Sequence, residues 1–208
     1  MAANQTIVGV QQQSDGSVVQ ARSGRQGEQI VSDLHGRYHE TTSRRNIFVG
    51  SNGATPTVTT VALAATYTGL ALINPAASSV NLSVLKVGLS FLVVFPAVST
   101  VGVMTGYSPL GTTTFSVAAT DGLSSVFNGP RGQGRAALSA TLVGTAQLHT
   151  VLGSGLTGAV TTSPTGWALY DMEGSLLIPP GGYAAIYTST VCGAAGMCAS
   201  FMWEEIPL

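Results

Sequence analysis

The chain has 208 residues, a net charge of −1 and only 8% charged side chains. A near-neutral balance gives no electrostatic grip on a nucleic-acid backbone, and ordinary soluble domains carry about 25% charged residues. So few charges cannot cover the outside of a free monomer, so the expected working form is an assembly of several copies.

Residues 1–50 hold nine of the seventeen charged side chains and two of the three histidines. They are rich in polar and small residues, as in Gln11-Gln12-Gln13-Ser14-Asp15-Gly16, and lack a sustained apolar period. Such a segment buries too little apolar surface to offset its own ordering entropy. It reads as an arm, extended or partly helical, that orders on a partner. Within it Ile30, Val31, Leu34 and Tyr38 stand near helical spacing, interrupted by Gly36. The expected partner-binding residues are Arg22, Arg25, His35, Arg37, Tyr38, His39, Arg44 and Arg45. The planar fork of arginine suits clamping carboxylates. Met1 is not followed by a basic region and an apolar run, so no signal peptide is expected.

Residues 51–208 read as one all-β domain, a sandwich, jelly roll or barrel. The predicted strands are 58–63, 67–73, 81–95, 101–107, 112–118, 135–142, 148–152, 167–178, 183–190 and 199–206. In 81–95, alternation places Ser83, Leu85, Val87, Leu89, Phe91, Val93 and Phe95 on the core side. This run contains Ser83, Lys86 and Ser90 and is too short to span a membrane as a helix. Pro179-Pro180-Gly181-Gly182 predicts a tight turn, because proline fixes φ and glycine supplies positive φ. Phe201 and Trp203 share a face of the last strand. Cys192 and Cys198 are close enough in sequence to meet across a hairpin as a disulfide, but in a protein made in a reducing compartment they read rather as free, small buried hydrophobes.

Candidate chemistry is thin. His35 and His39 have the i, i+4 spacing of a zinc pair on a helix, but Gly36 weakens the helix and no third ligand follows. His149 lies in a strand-like context without a GxSxG elbow. Asp171 with Glu173 reads as a solvated bend before Gly174, and Glu204 with Glu205 points to opposite faces of a strand. The Gly-rich stretch Asn128–Arg135 lacks the GK[ST] and helix of a phosphate cradle, so it reads as a surface loop carrying Arg131 and Arg135. The Leu177–Tyr183 stretch resembles the turn of cupin jelly rolls, but no histidine cluster accompanies it. No catalytic residue, cofactor or metal is expected.

Two segments carry a family likeness. One is Gly27–Phe48, with Ser32-Asp33-Leu34-His35-Gly36-Arg37-Tyr38 and then Arg45-Asn46-Ile47-Phe48. The other runs from Ile178-Pro179-Pro180-Gly181-Gly182 to Phe201-Met202-Trp203-Glu204-Glu205-Ile206-Pro207, and the stretch from Thr66 to Gly88 is similar in kind. These resemble a family of virion proteins of tailed bacteriophages and prophages, of the capsid-decoration or cement type. The resemblance implies a jelly-roll-like knob, a homotrimer, on the capsid surface. It carries over no functional residue.

The expectation is therefore a non-enzymatic virion structural protein, made in the host cytoplasm. Its β domain binds copies of itself, and its arm binds the major capsid protein; neither nucleic acid nor membrane is a partner. The alternative is a receptor- or glycan-binding module of a head or tail fibre, for which Tyr107, Phe127 and Trp167 lie near loops.

Overall fold

The computed structural model describes residues 36–52, 63, 65–92, 95, 97–108, 114–118, 120–124, 132–155, 167–191 and 196–208. The chain divides into two compact units, at His39 and Glu40. Among the described residues a single short helix, α1 (His39–Ser43), precedes the strands. It ends where Arg45 takes φ 64°. The Asn46 N–H donates to Thr41 O and the Arg45 N–H to Thr42 O, the bond pair of a left-handed helix cap. Of the helical reading around Glu28–Tyr38, only Gly36–Tyr38 falls among the described residues, as the turn leading into α1.

Twelve strands follow among the described residues: β1 (Ile47–Ser51), β2 (Thr66–Tyr67), β3 (Ala71–Ile73), β4 (Val80–Phe91), β5 (Ser99–Tyr107), β6 (Thr114–Ala118), β7 (Thr120–Ser124), β8 (Arg135–Thr141), β9 (Gln147–Gly155), β10 (Trp167–Ile178), β11 (Gly182–Thr188) and β12 (Met197–Pro207). They form a five-stranded sheet, in the order β10-β4-β12-β1-β7, and a seven-stranded sheet, in the order β2-β8-β3-β11-β5-β9 with β6 also on β8. Every pairing is antiparallel. One apolar core draws on both sheets: Phe48, Leu82, Val84, Met172, Ile178, Phe201 and Trp203 from the first, and Leu72, Val103, Ala136, Ala184 and Ile186 from the second. The fold is a β-sandwich. Each large core side chain contributes about 1.5–3 kcal/mol by leaving water.

Ile47–Ser51, at the end of the segment read as arm, is β1, hydrogen-bonded between β12 and β7. Five residues are too short for a periodicity signal, and the strand is fixed by long-range packing. Phe48 faces Trp203 across the pair, rings stacked at 6.1 Å. Buried Asn52 extends the pairing beyond β1: its Nδ2 donates to Met197 O and its Oδ1 accepts from Ala199 N–H. The 67–73 prediction splits into β2 and β3. Tyr67 turns its hydroxyl to Ile186 O at 2.6 Å, and Gly69 lies under that ring, where a Cβ would clash.

The core face of β4 differs from strict alternation. Val87 and Leu89 are core residues as expected, but so are Leu82 and Val84 from the opposite set. Leu85 is a bulge. On β12, Met202 pairs with Lys86 and Trp203 with Val84, leaving Leu85 without an opposite number. One extra residue in a strand of period two exchanges its faces.

The turn after β10 follows its sequence. Gly182 N–H donates to Pro179 O at 2.9 Å, and Gly181 has φ 85°, so Pro180 and Gly181 occupy the centre of a type II turn. Asn74 ties this turn to its neighbours. Its Nδ2 donates to Val80 O and Ile178 O, and its backbone exchanges bonds with Gly181 and Gly182. The outer face of the seven-stranded sheet carries a second apolar cluster of Tyr67, Ala71, Ile73, Met104, Ala137, Tyr183 and Ala185, joined by Leu142 and Ala146.

Candidate functional site

Of the arm residues expected to bind a partner, Arg22, Arg25 and His35 lie outside the described residues. In the first unit, Arg37 lies over the Tyr38 ring at 5.5 Å, and His39 is exposed. In the second, Arg44 and Arg45 are exposed. Arg44 Nε donates to Glu40 Oε1 at 2.7 Å, four residues away. Exposed pairs of this kind contribute about 0.3–0.5 kcal/mol, so the contact orients Arg44 more than it stabilises the helix.

The carboxylates serve the backbone. Asp171 Oδ1 accepts the Glu173 N–H at 3.1 Å, and Glu173 and Gly174 both take positive φ. Four residues, Met172–Ser175, stand opposite the single bulge residue Leu85, so Asp171 closes an irregular bend in β10. Asp171 Oδ2 also lies 3.7 Å from Lys86 Nζ. Glu204 and Glu205 take opposite faces of β12. Partial burial of Glu204 raises its carboxyl above the ordinary value. Glu205 points inward. Its Oε1 accepts the Gly134 N–H at 2.8 Å and the Trp203 Nε1–H at 3.3 Å, with Gly132 packed on the same oxygen. The end of the Gly-rich stretch read as a surface loop is thus an inward-packed clamp, and Arg135 donates to Gly132 O at 2.9 Å. Cys198 is half-buried in β12, and Cys192 lies outside the described residues. Among the described residues no three of His, Cys, Asp and Glu come together as a metal site, and no helix is long and apolar enough to cross a membrane.

At one end of the sandwich Leu92 and Val98 follow β4 and precede β5, and Val191 follows β11; all three are exposed, Val98 at 69%. The Leu92 N–H donates to Gly196 O and the Thr190 Oγ1–H to Val98 O, holding these tips together. Leu169, 60% exposed, and Val151 stand on the two edge strands near the same end. The edges adjoin, since a Cβ on Gly153 of β9 would meet Tyr170 Oη of β10 at 3.3 Å.

At the opposite end, the last residues of β5, the first of β9, the end of β10 and the start of β11 surround a groove of about 690 Å³. Thr105, Tyr107, Thr145, Gln147, His149 and Ser175 supply its polar wall, with Leu177, Ile178 and Tyr183 as apolar lining. A bulge turns His149 out of register: Thr150 pairs with Val103 and Leu148 with Met104. His149 Nδ1 lies 2.6 Å from Thr150 Oγ1. Gly144, at φ 70°, presses against the Tyr107 carbonyl, where a Cβ would come within 2.6 Å. These wall residues come from four separated segments, so no local sequence spacing marks them.

With this geometry in view, comparison with protein-family models, with curated proteins and with solved structures gives no match. The class the fold defines is an antiparallel β-sandwich, and any function has to be read from this chain's own surfaces.

Proposed function

We propose that this chain is a non-enzymatic structural protein of a tailed-phage particle, one that decorates or cements the capsid. The β domain associates with copies of itself as a trimer, and the arm engages the major capsid protein. The observation that carries this reading is the joining of an almost uncharged body to an apolar tip. Residues 51–208 hold eight charged side chains, while Leu92, Val98 and Val191 stand exposed together on adjoining loops at one end. Single exposed apolar residues are ordinary, but a grouped set marks an interaction surface. Such a set suits burial around a symmetry axis.

The strand order supports the jelly-roll part of the reading. β1 pairs with β12, β3 with β11, β4 with β10 and β5 with β9. The first half of the chain thus pairs with the second as one long hairpin, laid across β1-β12-β4-β10 and β3-β11-β5-β9. That order supports a double-sheet jelly-roll reading of the kind found in viral coat domains, among others, with β2, β6, β7 and β8 as additions to it. The exposed basic residues Arg37, Arg44 and Arg45 support a role for the arm in gripping acidic groups.

The test has two arms. Sedimentation of the full chain should give a trimer, and the double substitution Val98→Asp with Leu169→Asp should give a folded monomer. A wild-type monomer at high concentration refutes self-association. Removal of residues 1–38 should leave the trimer but abolish its binding to purified capsid shells; full decoration by the truncated chain refutes the arm's role.

A further inference from the structure

We infer that the groove between the ends of β5, β9, β10 and β11 is a binding site for a neutral saccharide. It stands on its own geometry and does not rest on the particle reading. It also lies at the end of the sandwich away from Val98 and Leu169, so association through those tips leaves it open.

Charge sets the ligand class. None of the described residues lining the groove is Lys, Arg, Asp or Glu, so they offer no ion pair to a phosphate, a sialic acid or a cation. Its polar groups are the hydroxyls of Thr105, Tyr107, Thr145 and Ser175, the amide of Gln147 and the imidazole of His149. Hydroxyls and an amide both donate and accept, which matches sugar hydroxyls. No side-chain hydrogen bond of Thr105, Thr145, Gln147 or Ser175 forms among the described residues. The Tyr107 ring, 53% exposed, supplies an aromatic face beside exposed Leu177. An amphipathic ring with a polar tip suits a sugar, whose C–H face is apolar and whose edges are hydroxylated. A volume of about 690 Å³ lies within the range of small-molecule sites, roughly 300–1,000 Å³.

Two further observations point to a ligand. Tyr183 lines the groove and is 1% exposed, yet its hydroxyl has no hydrogen-bond partner. Its ring lies over Gly106, also a lining residue, where a Cβ would clash. Buried hydroxyls in folded proteins nearly always find a partner; this one has none in the free chain and is covered there, so a sugar hydroxyl pairs with it by parting the groove wall at Gly106. In addition, the bulge that re-aims His149 is of the kind concentrated beside binding sites.

The experiment uses the full chain. It is titrated by saturation-transfer NMR and calorimetry with maltotriose, N-acetyllactosamine and mannotriose, and with 3′-sialyllactose as the charged control. The expected result is binding of at least one neutral oligosaccharide in preference to sialyllactose. Tyr107→Ala and Gln147→Ala, both on the exposed wall, should each weaken it tenfold or more at unchanged melting temperature. Tyr183→Phe should weaken it without lowering the melting temperature, because it removes a hydroxyl with no partner in the free protein. No binding of the three neutral sugars at millimolar concentration overturns the inference. So does a preference for sialyllactose, or affinity unchanged by Tyr107→Ala and Gln147→Ala.

Discussion

Replacing Glu205 tests whether the clamp at the end of β12 holds the Gly-rich segment to the sandwich. Glu205 is 8% exposed, and one oxygen accepts from both Gly134 N–H and Trp203 Nε1–H. Glu205→Ala removes the acceptor and leaves both donors without it. A buried donor left unsatisfied costs about 1–3 kcal/mol. The Trp203 bond is long, so the low end applies to it, and the sum is about 3 kcal/mol. For a chain of this size each kcal/mol lowers the melting temperature by about 2–4 °C, so the variant should melt roughly 6–12 °C lower. Glu205→Gln keeps an acceptor oxygen and should lose only about 1 kcal/mol. Urea denaturation followed by circular dichroism reads both variants, and Trp203→Phe in each background isolates the indole's share. If alanine and glutamine cost the same, or alanine costs under about 1 kcal/mol, the bonds are not what secures Gly134.

Three other outcomes are expected. Trp203, with no exposed surface and in stacking contact with Phe48, should cost about 3–5 kcal/mol as alanine, measured by the same denaturation. Gly174→Ala should cost about 1–2 kcal/mol, because Gly174 has φ 79° and the added Cβ meets Ser83 Oγ at 2.8 Å. The Glu204 carboxyl is raised from its ordinary 4.5 by burial. Its protonated form is therefore favoured by folding. The stability this gives is full below pH 4.5 and is lost as pH rises through the raised folded value. Glu204→Gln should thus gain on the wild type across that window, the gain flattening above it, as read by thermal melts at stepped pH.

How far the sequence predicts the structure depends on the range of the interactions involved. Long apolar runs such as β4 and β10 are legible as strands from their length and composition, and β12 also from alternation, because one of its sides is buried along most of its length. The type II turn is legible because Pro180 and Gly181 each satisfy a local dihedral requirement. β1 is not, since its pairing with β12 lies some 150 residues away in sequence. The exchange of faces in β4 is not either: nothing local marks Leu85 as unpaired, and only the pairing with β12 and β10 reveals it. For the groove, Tyr107 stands out in sequence as an aromatic near a loop, whereas Gln147, Thr105 and Ser175 become neighbours only through folding. Phe127 lies outside the described residues.

The bulges also constrain how copies of the chain meet. An open edge strand invites pairing with another chain unless something distorts it. β9 is an edge, and between Gln147 and Gly155 it carries no charge to deter pairing. It is instead bulged twice, at His149 and at Leu152, where Val101 pairs with Gly153 and Gly102 with Val151. β10, the facing edge, is bent between Asp171 and Leu176. Neither offers a straight ladder of N–H and C=O groups, so at this pair of edges the association proposed above is expected to use the apolar tips rather than strand addition. In hydrogen exchange, association should then protect the segments around Leu92, Val98 and Val191, while the outward amides of β9 exchange as fast in the trimer as in the Val98→Asp, Leu169→Asp monomer. Protection gained along β9 alone would mean that the sheets join edge to edge and that the bulges do not guard them.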